Sequence, residues 1–219
     1  MTLVKVCGIT NLDDARACVS ASADMFGFNF YRASSRYIAP EEARRIIEQL
    51  PSSVASVGVF VNEESPERVA ELAEAAGVAM VQLHGDEPPA FCRALNGYPV
   101  IKALRVARGF KPERVAVCGA QIVLLDAFSA DAYGGTGKTF DWSLALAARS
   151  LVSKLILAGG LTPENVGEAV RRVRPFAVDA CSSLERAPGA KDAARVRAFV
   201  AAVKSARAGQ ASALIEPEE

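Results

Sequence analysis

Short apolar runs alternate with amphipathic segments along almost the whole chain, and this alternation predicts repeated β-α units around a parallel sheet. The runs are rich in β-branched residues and hold few polar positions, as expected of strands that are covered on both faces. Eight strands are predicted, over residues 3–7, 25–30, 54–61, 80–83, 100–104, 122–126, 154–158 and 176–180.

Helices are predicted in the segments between these strands. Several of the segments open with a capping residue, a proline or an acid, which are the residue types that commonly begin a helix. Such starts are predicted at Asn11, Pro40, Ser65-Pro66 and Thr162-Pro163. Two of the segments also show the i, i+3, i+4, i+7 spacing of a helix with one buried face. These positions are Ala43, Ile46, Ile47 and Leu50 in one segment and Val69, Leu72, Ala73 and Ala76 in the other.

The number of units predicts the fold class. Eight strand and helix pairs in 219 residues suit a compact (β/α)8 TIM barrel, which spans roughly 200 to 250 residues. A doubly wound parallel sheet is the alternative. We predict a single catalytic domain over residues 1–207 and a disordered C-terminal tail over residues 208–219.

Composition narrows the classes of partner. Twenty-five Lys and Arg balance 25 Asp and Glu, so no overall positive charge favours nucleic acid or an anionic membrane. The five cysteines are scattered and never spaced as C-x-x-C, which argues against a disulfide framework and a zinc ribbon. Charges interrupt every apolar stretch before the ~18 residues that a membrane span needs. We therefore expect a cytoplasmic protein, monomeric or homodimeric, without a nucleic-acid partner, a membrane partner or a metal.

Chemistry is expected at the loops that follow the strands, because active sites of barrels lie at the C-terminal ends of their strands. The residues there are mostly ionisable, amide, hydroxyl or glycine. They are Cys7-Gly8, Asn29, Ser34-Ser35-Arg36, Asn62, Gln82-Leu83-His84-Gly85, Lys102, Arg105, Asp126, Gly159-Gly160 and residues 179–183.

Several of these strings resemble the pattern of the phosphoribosylanthranilate isomerase family, in order and at matching spacing, over residues 3 to about 203. The strings are Lys5-Val6-Cys7-Gly8-Ile9-Thr10, Phe28-Asn29-Phe30, Ser34-Ser35-Arg36-Tyr37-Ile38, Gly58-Val59-Phe60-Val61-Asn62, Val81-Gln82-Leu83-His84-Gly85-Asp86-Glu87, Leu125-Asp126-Ala127, Gly134-Gly135-Thr136-Gly137, Phe140-Asp141-Trp142 and Leu157-Ala158-Gly159-Gly160-Leu161.

The resemblance implies an isomerase that carries out the Amadori rearrangement of N-(5-phosphoribosyl)anthranilate in tryptophan biosynthesis. This reaction needs one general acid and one general base, and no cofactor. The resemblance makes Asp126 the acid and Cys7 the base. Burial is expected to raise the pKa of Asp126, whereas Cys7 needs nearby positive potential, whose source the sequence does not identify. Without the resemblance, Cys7 is better explained as a packing residue, which is the usual role of a free cysteine, and Asp126 as a helix cap or a partner of Lys102.

The substrate-binding residues also come from the resemblance. Arg36 is implied to hold the anthranilate carboxylate, and His84 either lines the site or is a satisfied hydrogen bonder. The substrate phosphate is expected at Gly159, Gly160, Ser182 and Ser183, in the loops after strands seven and eight. Asp179 either faces the sugar hydroxyls or orients its loop. Where the family more often has two serines and then a glycine, this chain has Cys181, Ser182 and Ser183.

Other interpretations of the sequence have less support from its residues. Residues 134–139 resemble half of a nucleotide-binding P-loop, but the first glycine that this motif needs is replaced by Ala132. We interpret this loop as a mobile cover near Asp126. A related phosphosugar isomerase of histidine biosynthesis is an alternative, but an aspartate is expected there in place of Cys7. Indoleglycerol phosphate synthase and a non-catalytic phosphate-binding barrel are further alternatives.

Overall fold

The computed structural model describes residues 1–127 and 141–212. Eight parallel strands form a closed barrel in the order of the sequence, and the first strand pairs with the last. The strands are β1 Leu3–Cys7, β2 Met25–Asn29, β3 Ala55–Phe60, β4 Met80–Leu83, β5 Val100–Val106, β6 Ile122–Ala127, β7 Lys154–Leu157 and β8 Ala177–Ala180. The predicted (β/α)8 barrel is therefore confirmed, and the doubly wound sheet is excluded.

Helices cover the outside of the barrel. They are α1 Leu12–Ser20, α2 Pro40–Ile47, α3 Pro66–Ala76, α4 Pro89–Ala94, α5 Trp142–Arg149, α6 Val166–Val173 and α7 Ala193–Ser212. A 3-10 helix, Pro112–Val117, stands between β5 and β6. The predicted caps at Asn11 and Ser65 are present, since each side chain accepts a hydrogen bond from a backbone N–H of its helix's first turn.

Three details differ from the sequence-based expectations. Helix α6 begins at Val166, not at Thr162-Pro163, because Asn165 holds a turn there by accepting from the Thr162 N–H and donating to the Gly160 carbonyl. The loop after β8 contains a short hairpin of β9 Glu185–Ala187 and β10 Ala190–Lys191. Helix α7 continues to Ser212, past the boundary predicted at residue 207. Residues 213–219 of the predicted tail lie outside the described residues.

Side chains alternate between the outer and inner faces of each strand, and they form two separate hydrophobic clusters. Outward-facing residues such as Val4, Val6 and Val178 pack with the helices in one large apolar cluster. Inward-facing residues form a smaller cluster within the barrel: Met25, Val57, Ile101, Ala103, Ile122, Leu124, Ile156, Ala158 and Ala177. Because successive side chains of a strand point to opposite faces, Lys5 and Cys7 of β1 and Asp126 of β6 also point inward. The strand ends thus direct polar groups into the mouth of the barrel.

Within residues 1–127 and 141–212, no helix is both long enough and apolar enough to cross a membrane.

Candidate active site

A cavity opens at the end of the barrel where the strands finish. Its wall includes all nine predicted site residues: Cys7, Arg36, His84, Asp126, Gly159, Gly160, Asp179, Ser182 and Ser183. Asn29, Ser34 and Cys181 also line it. The glycine-rich segment 134–139, interpreted from the sequence as a cover, lies outside the described residues.

A buried ion pair joins the first and last strands below Cys7. Lys5 is fully buried, and its Nζ lies 3.0 Å from Oδ1 of Asp179 on β8. Burial raises the pKa of Asp179 to about 7, although the positive charge of Lys5 opposes that rise. For Lys5 itself, burial favours the neutral amine, but Asp179 and Cys7 more than offset it and raise the pKa. Asp179 therefore contacts Lys5, and Lys5 was not among the predicted site residues.

The pKa of the Cys7 thiol is held well below its ordinary value. A hydrogen bond with Cys181 lowers it most, burial opposes, and the positive charges of Lys5 and Lys191 lower it further. Lys5 and Lys191 are therefore the source of positive potential that the sequence could not identify. Lys5 precedes Cys7 by two residues on the same strand face, whereas Lys191 comes from the β9–β10 hairpin.

Arg36 is tied to the same hairpin by Glu185. Its Nε lies 2.9 Å and 3.1 Å from the two Glu185 carboxylate oxygens, and its Nη2 lies 2.7 Å from Oε2. Lys191, which is buried, donates to Oε1 of Glu185 at 2.7 Å. Burial tends to raise the pKa of Glu185, but the hydrogen bonds from Arg36 and Lys191 bring it below its usual value. Glu185 thus positions a guanidinium whose Nη1 lies 3.5 Å from the Ser35 hydroxyl oxygen.

Asp126 lies on the opposite side of the barrel from Cys7 and contacts a different partner. Its carboxyl is buried, and Oδ2 lies 3.3 Å from Nε2 of His84 at the end of β4. The other ring nitrogen of His84 is 3.0 Å from the Gln82 side-chain amide nitrogen. Lys102, considered from the sequence as a partner of Asp126, instead pairs with Glu87 at 2.6 Å. His84 is therefore a direct neighbour of the predicted acid.

Two glycines make room for these groups. At Gly27 an added Cβ would lie 2.7 Å from Sγ of Cys7 and 3.2 Å from Nζ of Lys5. At Gly159, where φ is +79°, it would lie 2.7 Å from Oδ1 of Asp126 and even closer to the Ala127 backbone. Each glycine thus permits the close approach of a predicted catalytic side chain.

The loops after β7 and β8 meet at one side of the cavity. Gly159 and Gly160 both adopt positive φ, and Ser182 and Ser183 line the same cavity. The Ser183 hydroxyl donates to the Leu161 carbonyl at 2.5 Å. This hydrogen bond connects the two loops, so Ser183, which stands where the family more often has a glycine, makes a structural contact.

Comparison with known proteins identifies the family. The family model of N-(5'-phosphoribosyl)anthranilate (PRA) isomerase matches residues 4–202. The chain belongs to the phosphoribosylanthranilate isomerase family. A relative in this family, the N-(5'-phosphoribosyl)anthranilate isomerase of Trichlorobacter lovleyi, is 49% identical over 206 residues, which is 94% of this chain and 100% of the relative.

Solved structures of phosphoribosylanthranilate isomerases are similar to this one throughout. The Thermotoga maritima enzyme has a TM-score of 0.88 and 47% identity, covering 94% of this chain and 100% of that one. Another phosphoribosylanthranilate isomerase structure has a TM-score of 0.84 and 45% identity, with the same coverage. That protein was crystallised with reduced 1-(o-carboxyphenylamino)-1-deoxyribulose 5-phosphate.

The buried Lys5–Asp179 pair predicts a pH-dependent effect of Lys5→Met on stability. Removing the cation leaves a buried carboxyl without its partner, a change that costs about 3–5 kcal/mol in comparable sites. A carboxyl with a raised folded pKa binds its proton more tightly when folded, so stability is greatest at low pH and falls as pH rises through that pKa. In the Lys5→Met variant the pKa of Asp179 is higher still, so the unfolding free energy continues to fall up to a higher pH.

We therefore expect urea denaturation to show a larger loss of unfolding free energy at about pH 8.5 than at about pH 5.5. Lys204→Met, at an exposed lysine of α7, is the matched control and should change stability little at either pH. An equal loss for Lys5→Met at both pH values would contradict the account.

Proposed function

We propose that this chain catalyses the Amadori rearrangement of N-(5-phosphoribosyl)anthranilate to 1-(2-carboxyphenylamino)-1-deoxy-D-ribulose 5-phosphate, the third step of tryptophan biosynthesis from chorismate. The observation that carries the proposal is the pairing of two chemically different walls in one cavity. Cys7 stands among cations on one side and Asp126 stands beside His84 on the other. One wall suits a base and the other an acid.

Asp126 acts first in the proposed reaction. Its carboxyl donates a proton to the ring oxygen of the aminofuranose, the C1–O bond breaks, and the nitrogen lone pair forms a C1=N iminium. General acid catalysis of this kind contributes typically ~10²–10⁴-fold to a rate. His84, at 3.3 Å from Oδ2, fixes the carboxyl toward the cavity.

Cys7 acts second. Its thiolate removes the proton from C2, the C–H electron pair forms the C1=C2 bond, and the iminium electrons return to nitrogen. The enol formed at C2 then loses its O–H proton while C1 gains one, which gives the ketone. The lowered pKa of Cys7 supports this role, because a thiol of ordinary pKa, ~8.5, is mostly protonated at neutral pH.

The rest of the substrate is held by the remaining cavity residues. Gly159, Gly160, Ser182 and Ser183 offer backbone close to one another for the phosphate, in the corner where barrels often bind phosphate. Asp179 acts through Lys5, since the two are paired. Arg36 presents its Nη1 edge to the anthranilate carboxylate while Glu185 holds the other edge.

Turnover tests the proposed acid and base. Purified protein should convert freshly prepared phosphoribosylanthranilate, followed as loss of its anthranilate-type fluorescence. Cys7→Ala and Asp126→Asn should each lower kcat by about 10²-fold or more, because each removes one proton-transfer group.

Cys118→Ala and Asp13→Asn are the matched controls. Both residues lie outside the cavity wall, and both variants should keep near-normal turnover. A folded wild type that is inert would contradict the proposed function, and full activity in Asp126→Asn would contradict the choice of acid.

Arg36→Lys tests recognition of the substrate carboxylate. Lysine keeps the charge but cannot contact Glu185 and a second carboxylate through one planar group. We expect KM to rise by about tenfold or more, as for loss of a charge-assisted hydrogen bond, with a smaller change in kcat. An unchanged KM in steady-state kinetics would rule out this role for Arg36.

A further inference from the structure

Gln82 lies next to His84 on the inner face of β4. It is opposite Ile101, a residue of the inner apolar cluster, and its side chain is fully buried. The His84 N–H donates to the Phe60 carbonyl at 2.8 Å, which continues the pairing of β4 with β3 beyond the last strand residue. Because side chains two residues apart on a strand point to the same face, the amide and the imidazole both point inward. His84 reaches the cavity wall, and Gln82 supports it from within the barrel.

The side chains of Gln82, His84 and Asp126 form one continuous series of contacts. Nε2 of Gln82 lies 3.0 Å from Nδ1 of His84, and Nε2 of His84 lies 3.3 Å from Oδ2 of Asp126. An amide NH2 group donates and does not accept, so Nδ1 of His84 is the acceptor. In a neutral imidazole the other ring nitrogen then carries the hydrogen. His84 therefore presents an N–H, and not a lone pair, to Asp126.

This direction determines which oxygen of Asp126 carries the proton when the carboxyl is an acid. Oδ2 accepts from the His84 N–H, so the proton belongs on Oδ1. Oδ1 lies toward the cavity residue Gly159, since a Cβ added there would be 2.7 Å from it. A proton on Oδ1 is not engaged by His84. The carboxylate that remains after its transfer still accepts the hydrogen bond from His84.

The amide oxygen of Gln82 indicates that this residue is present for its nitrogen. Within residues 1–127 and 141–212, Oε1 of Gln82 is buried without a hydrogen-bond partner. A buried acceptor that lacks a donor destabilises a folded protein, and such a group calls for an explanation. An apolar side chain of similar length, such as methionine, would fill this position without that cost. The contact to His84 is the polar contact that offsets it.

We propose that Gln82 is a positioning residue that holds His84 as the tautomer with hydrogen on Nε2, and so keeps the acid proton of Asp126 on Oδ1. The inference rests on the proposed function, which makes Asp126 the acid. Without the amide donor, His84 is able to carry its hydrogen on Nδ1. The lone pair on Nε2 then accepts the Asp126 proton that the substrate needs.

The protonation of His84 can be measured directly, because it is the only histidine in the chain. Protein labelled with nitrogen-15 histidine gives one pair of ring-nitrogen signals, and long-range proton–nitrogen correlation spectra show which nitrogen carries hydrogen. At about pH 8, where an ordinary imidazole is neutral, we expect hydrogen on Nε2 in the wild type. Gln82→Glu keeps the shape but places an acceptor at Nδ1, so Nδ1 should become protonated. Gln82→Met offers neither donor nor charged acceptor and should give a mixture of tautomers.

Steady-state kinetics connect the tautomer to catalysis. In Gln82→Glu we expect kcat to fall by about 10²-fold, a typical contribution of a general acid, with little change in KM. Gln82→Met should lower kcat by less than Gln82→Glu does. Gln49→Glu, at an exposed glutamine just beyond α2, is the matched control. It should leave both the histidine spectrum and kcat unchanged.

Three outcomes overturn the inference. The first is a wild-type spectrum with hydrogen on Nδ1. The second is a spectrum with hydrogen on Nε2 in both folded Gln82 variants, since the amide then does not select the tautomer. The third is a changed tautomer in Gln82→Glu with wild-type kcat. The spectra do not require turnover, so a folded wild type that is inert would instead overturn the proposed function, separately from the tautomer.

Discussion

The burial of a cation at the seam of the barrel governs both the fold and the site. Lys5 lies on the inner face of β1, fully removed from solvent, and such a charge is tolerated only with a close partner. Asp179 on β8 provides it at 3.0 Å. Because these two strands close the barrel, the pair joins the ends of the sheet and places a positive charge beneath Cys7.

A second charged cluster extends this arrangement around the cavity mouth. Glu185 is shared between Arg36 and Lys191, so one carboxylate orders both a cavity arginine and a buried lysine. The β9–β10 hairpin is what brings Glu185 and Lys191 to this place. On the opposite wall, Asp126 has a histidine as its neighbour. The two walls therefore offer different electrostatic surroundings to the two groups, as acid–base catalysis by a single cavity requires.

Much of this architecture follows from sequence patterns. The predicted strands agree with the observed ones to within two residues at each end, because strands covered on both faces are nearly uninterrupted apolar runs. The caps at Asn11 and Ser65 were predicted because capping depends on local residue types. The start of α6 was not, since Asn165 forms a turn through contacts with Gly160 and Thr162 that composition does not reveal.

The functional site was likewise predicted only in part. The nine predicted residues meet in one cavity, but Cys7, Asp126 and Arg36 were chosen through family resemblance, not from spacing. Glu185 and Lys191 were missed, because the Arg36–Glu185 contact joins residues 149 positions apart in the chain and depends on an unpredicted hairpin. Lys5 left a signal, its two-residue spacing from Cys7 on an inward-facing strand. That signal becomes meaningful only once Asp179 is known to be opposite.

The most direct measurement of the central claim is a crystal structure of this chain with the reduced product analogue, reduced 1-(o-carboxyphenylamino)-1-deoxyribulose 5-phosphate. The account predicts that Sγ of Cys7 lies against C2, at about the 3–3.5 Å expected of reacting atoms. It also predicts that the Asp126 carboxyl lies within hydrogen-bond distance of O4, the former ring oxygen. An analogue bound in the cavity with Cys7 remote from C2, or with Asp126 remote from O4, would contradict the assignment of base and acid.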